Sequence, residues 1–340
     1  MKKFLITILK FSTIGGIPFL LLTAGYFYFD PFRVLRPYPD YSYSNVIPNR
    51  DFISTEMFLR NKDKYHYNSF IFGSSRALAY RPEDWKKYLE PGDSPFAFDA
   101  SGESLFGIYT KIKLIDSLGV PLDNVLIIID RETTFTFTEN FRALLFVKHP
   151  ATSGESGYSF HKIFFTAYFD PKFLACYYTF TFTHKYKDWM KGYIEWRKIR
   201  YDTITNQTDL ESLEAVMQKD ENAYYTEKRA VFYERKGEAI DTAIRIDQKR
   251  VDMLNELVQI FKKHHTNYKV INSPLYDEMK FSAHDWQLLK SVFGDHLYDF
   301  SGKNAFTEDF HNYYEPYHYR PRVGDSILQI IYEDVRLPNR

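Results

Sequence analysis

The sequence contains one cysteine, Cys176, in 340 residues. A single cysteine forms no internal disulfide, and no cysteine–histidine cluster has the spacing of a zinc site, so disulfide frameworks and zinc modules are excluded. An excess of charge is also lacking, because 44 basic residues balance 44 acidic residues. Nucleic-acid-binding modules usually carry a basic surface. We therefore expect no nucleic-acid partner, and we expect neither a metal ion nor a cofactor.

The chain is rich in aromatic residues. Hydrophobic residues make up 44% of it, which is ample for a folded core, and 63 residues are Tyr, Phe or Trp. At about 150 residues per domain the length allows two domains, but one large α/β domain with an insertion is an equal alternative. The sequence has no internal repeat and no low-complexity segment.

The N-terminus has the pattern of a membrane anchor. After Lys10 the chain is uncharged from Phe11 to Phe29, nineteen residues in all. About 20 residues in a helix cross a ~30 Å hydrocarbon core. The lysines at positions 2, 3 and 10 precede the apolar run, so the positive-inside rule places the N-terminus in the cytoplasm. We expect residues 1–30 to be a single-pass inner-membrane anchor, with the main domain periplasmic or otherwise extracytoplasmic.

A cleaved signal peptide is the alternative to this anchor. Thr23–Gly25 offers a short run of small residues that could serve as a cleavage site. The apolar run continues beyond that site, which favours an uncleaved helix.

Beyond a predicted linker at residues 31–60, apolar strands and helical stripes alternate. Predicted strands lie at 68–72, 96–99, 125–129, 268–271 and 297–300, and predicted helices at 82–89, 103–118, 251–261 and 324–335. The strand at 125–129 is an unalternated apolar run, which is typical of a strand buried on both faces. The alternation predicts an α/β domain over residues 61–340, with a three-layer, doubly wound parallel sheet.

An insertion interrupts this alternation at about residues 135–245. Within it, residues 158–196 contain fifteen aromatic residues. We expect a mostly helical insertion in which most of these aromatic side chains, such as Phe164, Phe165, Phe169 and Phe173, pack in a core. A cap that lines a sugar-binding groove, or aromatic faces against the bilayer, are alternatives for some of them.

Gly73-Ser74-Ser75 directly follows the first predicted strand, at the carboxyl end where ligands of open α/β sheets bind. A serine at this position has two interpretations. It can be the N-cap of the following helix, which is the commoner role. It can also be a nucleophile that is exposed near backbone N–H groups able to hold an oxyanion.

A serine nucleophile needs a base and a group that orients the base. His318 follows Glu315 by three residues in a predicted loop at 312–321, which contains Pro316 and Pro321 and lies just before the final helix. A carboxylate at this spacing can fix the imidazole tautomer while the other ring nitrogen faces a serine. His311, three residues after Glu308, is the rival base.

Together these blocks resemble the SGNH/GDSL hydrolase superfamily. In that family a Gly-Asp-Ser block follows the first strand, a glycine after the second strand contributes to the oxyanion hole, and an Asp-x-x-His block precedes the last helix. The matching residues here are Ser75 as nucleophile, with Ser74 in place of the usual Asp, Gly102 as an oxyanion donor, and Glu315 with His318 as orienting acid and base.

The family's third block, Gly-x-Asn-Asp, has no match in this sequence. The chain reads Asp130-Arg131-Glu132 at that point. The resemblance therefore assigns the Ser75 and Gly102 N–H groups to the oxyanion hole. The donor that the third block would supply to the oxyanion is not identified, and Arg76 and Arg131 are only guesses for it.

The anchor makes the chain similar to the cell-envelope branch of the superfamily, which includes alginate O-acetyltransferase-like proteins and the D-alanyl-lipoteichoic acid transfer protein. The resemblance implies a serine acyltransferase or esterase that acts on an envelope polysaccharide or glycolipid, and a membrane-bound O-acyltransferase as partner. A non-catalytic protein that keeps this fold as a scaffold in polysaccharide assembly is the alternative.

Overall fold

The computed structural model describes residues 2–136 and 143–333. Its α-helices are α1 (Lys2–Phe29), α2 (Arg50–Tyr65), α3 (Pro82–Trp85), α4 (Leu105–Ser117), α5 (Pro150–Ser153), α6 (Gly157–Tyr168), α7 (Pro171–Thr183), α8 (Glu211–Lys219), α9 (Glu221–Lys228), α10 (Gln248–His264), α11 (Ala283–Phe293), α12 (Ala305–Glu308) and α13 (Pro321–Glu333). Its strands are β1 (Ser69–Gly73), β2 (Pro95–Ala97), β3 (Asn124–Ile129), β4 (Arg200–Tyr201), β5 (Thr208–Asp209), β6 (Ala239–Ile240), β7 (Asn267–Asn272), β8 (Met279–Lys280), β9 (Leu297–Asp299), β10 (Tyr313–Glu315) and β11 (His318–Tyr319).

The chain divides into two compact units. Unit 1 comprises residues 1–39, 44–48 and 156–196, and unit 2 comprises residues 40–43, 49–155 and 197–340. The predicted insertion at 135–245 is therefore divided, since its aromatic-rich part belongs to unit 1 and its remainder to unit 2. Residues 137–142 of that insertion, and positions 334 and 335 of the predicted final helix, lie outside the described residues.

A five-stranded parallel sheet forms the centre of unit 2, in the order β2-β1-β3-β7-β9. The predicted α/β class and parallel sheet are confirmed. All six residues of β3 are buried, as expected for a central strand that is covered on both faces. The chain adds β2 on one side of β1 and all later strands on the other, so the winding reverses between β2 and β3.

Helices cover both faces of this sheet because side chains alternate along each strand. Ile71 of β1 shares a buried cluster with Val323 and Ile327 of α13. The neighbouring Phe70 points the other way and packs against Phe58 of α2, with ring centroids 5.8 Å apart. The sheet is thus the middle of three layers.

Helix α2 occupies part of the predicted linker, which is a correction to the sequence analysis. Asn49 caps it by accepting a hydrogen bond from the Phe52 N–H at 2.8 Å, and Phe52, Ile53 and Phe58 are buried. The segment contains many charged residues, and for this reason its amphipathic helical pattern was not recognised in the sequence. The predicted helix at 82–89 is also shorter, since α3 ends at Trp85 and a 3₁₀ turn follows at Lys86–Tyr88.

Unit 1 consists of α1, the turn that follows it, α6 and α7. Helix α1 ends where Asp30 adopts a left-handed φ of 42° and its carboxylate accepts the N–H groups of Val34 and Leu35. Phe164 and Phe173 are buried in this unit, which confirms the core role expected of them, while Phe165 and Phe169 are partly buried. Within the described residues, no helix combines the length and the apolar character that a membrane span requires.

Gly324 lets α13 approach the turn that carries Ser75. A Cβ at this position would lie 2.0 Å from the backbone oxygen of Ala79, at the end of the 3₁₀ turn Ser75–Ala79. Backbone cannot move aside as a flexible side chain can, so the close contact requires glycine.

We expect Gly324→Ala to lower the free energy of unfolding by about 2–4 kcal/mol, because overpacking against backbone forces α13 away from the turn. Chemical denaturation followed by tryptophan fluorescence measures this, because one of the four tryptophans, Trp85, donates its indole N–H to Tyr332 of α13 at 2.9 Å. Gly157→Ala is the matched control, because nothing lies within 4 Å of a Cβ there. Equal stability of the two variants would contradict the steric argument.

Candidate active site

Ser74 and Ser75 have different roles at the carboxyl end of β1. Ser74 is the N-cap of the 3₁₀ turn, and its hydroxyl accepts the Arg76 N–H at 3.5 Å. The Ser75 hydroxyl is left free of capping and lies 2.7 Å from Nε2 of His318. The capping and nucleophile interpretations of the sequence therefore apply to neighbouring residues.

The turn after β1 depends on Gly73. Its φ is 154°, and a Cβ would lie 2.8 Å from the carbonyl oxygen of Ile128 on the adjacent strand β3. The close approach of the two strands sets the direction in which the chain leaves the sheet, and with it the position of Ser75.

Glu315 and His318 belong to a β-hairpin, where the sequence suggested a loop. They are a cross-strand pair of β10 and β11 and flank the two-residue connection Pro316–Tyr317. Nδ1 of His318 is hydrogen-bonded to Oε1 of Glu315, and Oε2 accepts the Tyr317 N–H at 3.0 Å. With Nδ1 on the carboxylate, Nε2 is the nitrogen that faces Ser75. The structure thus brings together all three predicted catalytic residues.

The Glu315 carboxylate is stabilised in its charged form. Burial acts to raise its pKa, but the hydrogen bond and charge of His318, the Tyr317 N–H and the charge of Arg76 together lower the pKa below the ordinary 4.5. A depressed carboxyl pKa contributes stability above the unfolded-state value, and this contribution is lost as the pH falls through the folded-state value. Glu315 is therefore ionised near neutral pH and can offset charge on His318.

Buried tyrosine hydroxyl groups hold the hairpin. Tyr224 of α9 donates to the carbonyl oxygen of Tyr314 at 2.8 Å, and the single hydroxyl proton of Tyr225 is shared between the carbonyl oxygens of His311 and Tyr313, each 2.7 Å away. From the hairpin itself, the Tyr313 hydroxyl donates to the Pro274 carbonyl oxygen at 3.0 Å. Tyr224 and Tyr225 are not among the predicted site residues, because nothing local in the polar stretch around them indicates a partner 90 residues away.

His311, the rival base, does not reach Ser75. Its Nδ1 is 2.7 Å from Oδ1 of Asp309, and its ring packs against Phe310 and Tyr225. The predicted pairing of His311 with Glu308 is replaced by this nearer carboxylate.

Gly102 lies in the loop after β2, beside the end of β1. The backbone N–H of Ala100 donates to the carbonyl oxygen of Gly73 at 3.2 Å, so this loop continues along the turn that leads to Ser75. Gly102 has a left-handed φ of 55°. Within the described residues, neither the Gly102 N–H nor the Ser75 N–H donates a hydrogen bond, so both remain able to bind a ligand oxygen.

A buried ionic network supports the loop that carries Gly102. Nζ of Lys111 donates to the backbone oxygens of Phe98 and Asp99, at 3.4 and 3.3 Å, and lies 2.7 Å from Oε2 of Glu103. The Asp99 carboxylate pairs with Arg50. Because unpaired buried charges are costly, these pairs hold the backbone on both sides of Gly102 in one arrangement.

Asp130 stands where the third sequence block has no match. Its Oδ1 accepts the N–H groups of Glu132 and Thr133, at 2.8 and 2.7 Å, and its Oδ2 lies 2.9 Å from a guanidinium nitrogen of Arg76. The Ser74 hydroxyl donates to the same Oδ2 at 3.4 Å. Asp130 thereby links the loop after β3 to the turn that carries Ser75. An Asp three residues before a Thr is the sequence signal that could have indicated the turn at 130–133.

Arg76 and Arg131 were guesses for the missing oxyanion donor, and both guanidinium groups are engaged by carboxylates. Arg76 also binds Oε2 of Glu132 at 2.6 Å. Burial acts to lower the pKa of Arg76, but these carboxylates outweigh it and raise the pKa, so the charge persists. Arg131 pairs with Asp241 and Asp277.

A cleft of about 480 Å³ contains both Ser75 and His318. Its charged lining residues are Arg81, Glu83, Arg200, Asp209, Glu211, Glu214, Arg320, Arg322 and Asp325. Many of these side chains pair with one another, as Arg200 does with Glu211 at 3.0 Å. The described lining contains no residue of 158–196, so the alternative of an aromatic sugar-binding groove is not found in this cleft. Its walls instead offer hydrogen-bond donors and acceptors in similar number.

No protein-family model and no curated protein matches this chain. The chemistry of the site is therefore inferred from its geometry and from the sequence blocks.

We expect Tyr225→Phe to lower the free energy of unfolding by about 1–2 kcal/mol, because the carbonyl oxygen of Tyr313 loses its buried donor, whereas that of His311 keeps the guanidinium of Arg322 at 2.6 Å. Denaturant titration measures the change. Tyr317→Phe is the control within the hairpin, since the Tyr317 side chain is 58% exposed. If Tyr225→Phe unfolds at the wild-type midpoint, the hydroxyl does not hold the hairpin.

Proposed function

We propose that this protein is an extracytoplasmic serine acyltransferase or esterase with an SGNH-type fold. The observation that carries the proposal is the 2.7 Å contact between Ser75 Oγ and His318 Nε2, with Glu315 on the opposite ring nitrogen. A nucleophile, a base and an orienting carboxylate in hydrogen-bond reach are the parts that acyl transfer requires.

In the first step Ser75 Oγ attacks an acyl carbonyl while His318 Nε2 takes the hydroxyl proton. Glu315 stabilises the imidazolium that forms, as its depressed pKa allows. The tetrahedral oxyanion accepts hydrogen bonds from the N–H groups of Ser75 and Gly102. Collapse of the intermediate breaks the bond to the leaving group, which takes the proton from His318, and leaves an acyl ester on Ser75.

In the second step the oxygen of an acceptor hydroxyl attacks the acyl carbonyl while His318 Nε2 takes its proton. The bond between the acyl carbon and Ser75 Oγ then breaks, and Oγ regains the proton from His318. Water gives hydrolysis, and a hydroxyl of a polysaccharide or glycolipid gives transfer. The balanced charges of the cleft favour a neutral, hydroxyl-rich acceptor. Paired carboxylates and guanidinium groups produce no strong net electric field, and they still offer hydrogen-bond acceptors and donors to the hydroxyl groups of such an acceptor.

A non-catalytic scaffold protein of the same fold is the second candidate. Two departures from the family pattern favour it, namely Ser74 in the place of the usual Asp and Asp130-Arg131-Glu132 in the place of the third block. On this alternative, the cleft binds an envelope polysaccharide without transferring a group.

A fluorophosphonate probe separates the two candidates. We expect the wild-type protein to be labelled at Ser75, because an activated serine displaces fluoride from phosphorus, and we expect Ser75→Ala to remain unlabelled. Mass spectrometry of the labelled peptide measures this. Ser74→Ala is the matched control: it loses a cap worth about 0.5–2 kcal/mol but keeps the nucleophile, and should still be labelled. Absence of labelling in folded wild-type protein would favour the scaffold.

We also propose that α1 anchors the protein in the inner membrane, with its N-terminus in the cytoplasm. The support is the uncharged run at 11–29 behind three lysines, together with exposed apolar side chains on α1 such as Ile14, Leu20 and Leu21. A membrane-bound O-acyltransferase is the partner that such an arrangement would suit, because it could deliver an acyl group across the bilayer.

Membrane fractionation tests the anchor against the cleaved signal peptide. We expect the full-length mass in the membrane fraction, resistant to extraction by salt and carbonate, since a hydrophobic span is not released by charge. A variant with Ile14→Lys and Leu20→Lys should leave that fraction. A shortened protein in the soluble fraction would show that the segment is removed.

A further inference from the structure

The α6–α7 pair has an unusual composition for a water-exposed helical hairpin. Residues 157–183 include eleven aromatic residues and only three charged ones, Lys162, Asp170 and Lys172. The charged share of the whole chain is 26%. Two of the aromatic side chains, Tyr158 at 77% and Phe182 at 75%, are far more exposed than a core role explains.

This hairpin packs along the C-terminal third of α1. Phe169, at the turn between α6 and α7, stacks on Phe19 with ring centroids 5.1 Å apart. Phe165 contacts Tyr26 at 5.2 Å, and at the end of α1 Phe29 contacts Tyr178 at 6.0 Å. The turn of the hairpin therefore points toward the N-terminal end of α1.

The contact with Phe19 fixes how deep the hairpin lies if α1 is in a bilayer. Phe19 precedes Phe29 by ten residues, which is about 15 Å along a helix axis at ~1.5 Å per residue. The headgroup layer of one leaflet is roughly 5–7 Å thick. With Phe29 at the outer edge of that layer, the turn at Phe169 lies about 8–10 Å inside the hydrocarbon boundary, a depth typical of interfacial helices.

We infer that the α6–α7 hairpin is itself a membrane-binding element, embedded in the outer interface of the bilayer beside α1. The inference rests on the proposed anchor and goes beyond it, since it assigns a lipid contact to a segment 130 residues away in the sequence. Tyrosine and phenylalanine suit this layer, where an aromatic body meets acyl chains and a polar tip meets water.

The charged groups of unit 1 are compatible with this position. Asp170, near the turn, caps α7 by accepting the Phe173 N–H at 2.7 Å, and the Lys172 ammonium lies over the ring of Tyr193, 5.2 Å from its centroid. Unit 1 contains ten basic and four acidic residues, whereas unit 2 contains 34 and 40. Lys2, Lys3 and Lys10 precede the proposed span, which leaves seven basic and four acidic residues of unit 1 beyond it, and this basic excess favours anionic lipid.

Spin-label depth measurement on the full-length protein in phosphatidylethanolamine–phosphatidylglycerol vesicles tests the inference. In a Cys176→Ala background, single cysteines at Thr166 of α6 and Ala175 of α7 replace small or short exposed side chains. We expect labels at both positions to be accessible to dissolved oxygen and shielded from a water-soluble nickel chelate. Ala215→Cys, at an exposed position of α8 in unit 2, is the matched control and should show the opposite ratio.

A label at Ile17, which is 50% exposed on α1, separates this inference from the anchor itself. If labels at 166 and 175 are as accessible to nickel as the label at 215 while the one at 17 is shielded, the hairpin lies outside the lipid and the inference fails, although the anchor stands. If the label at 17 is also accessible to nickel, the anchor and the inference both fail.

Discussion

The hydrogen bond between Glu315 and His318 is the interaction on which the candidate site depends. The two residues face each other across a hairpin with a two-residue connection, so the backbone pairing of β10 and β11 presents both side chains on one side. Glu315 occupies one ring nitrogen and thereby directs the other toward Ser75. Without the hairpin, an Asp or Glu three residues before a histidine specifies no direction for the ring.

Ion pairs in the interior of unit 2 join the elements that carry the site. Arg76, directly after Ser75, is bound by Asp130 from the loop after β3, and Lys111 holds the loop after β2. Buried pairs of this kind add little net stability, because desolvation offsets most of their attraction, but removing one partner is costly. Their effect is to hold three loops in one relative arrangement at the end of the sheet where the winding reverses.

The aromatic excess has more than one physical origin. Phe70, Phe72 and Phe98 pack on the sheet. Tyr224 and Tyr225 donate to backbone oxygens of the hairpin segment, and Tyr313 of the hairpin donates to the carbonyl oxygen of Pro274. The aromatic residues of α6 and α7 associate with those of α1, which explains why the two richest segments of the sequence belong to one compact unit. None of these side chains lines the cleft around Ser75. The aromatic residues of its described lining are Tyr314 and Tyr319, and both are buried, so they offer no exposed ring face on which a sugar could stack.

The class of fold and the candidate triad could be predicted from the amino-acid sequence alone. The five strands, the helices α4, α10 and α13, and the residues Ser75, Glu315 and His318 follow from local patterns, because hydrophobic periodicity and residue spacing are properties of short segments. Other features became apparent only in the folded structure. They are the segments that form unit 1, the helix at 50–65, the tyrosines of α9 and the role of Asp130. Each of these depends on a partner distant in the chain, and burial or charge pairing with such a partner leaves no periodic trace in the sequence.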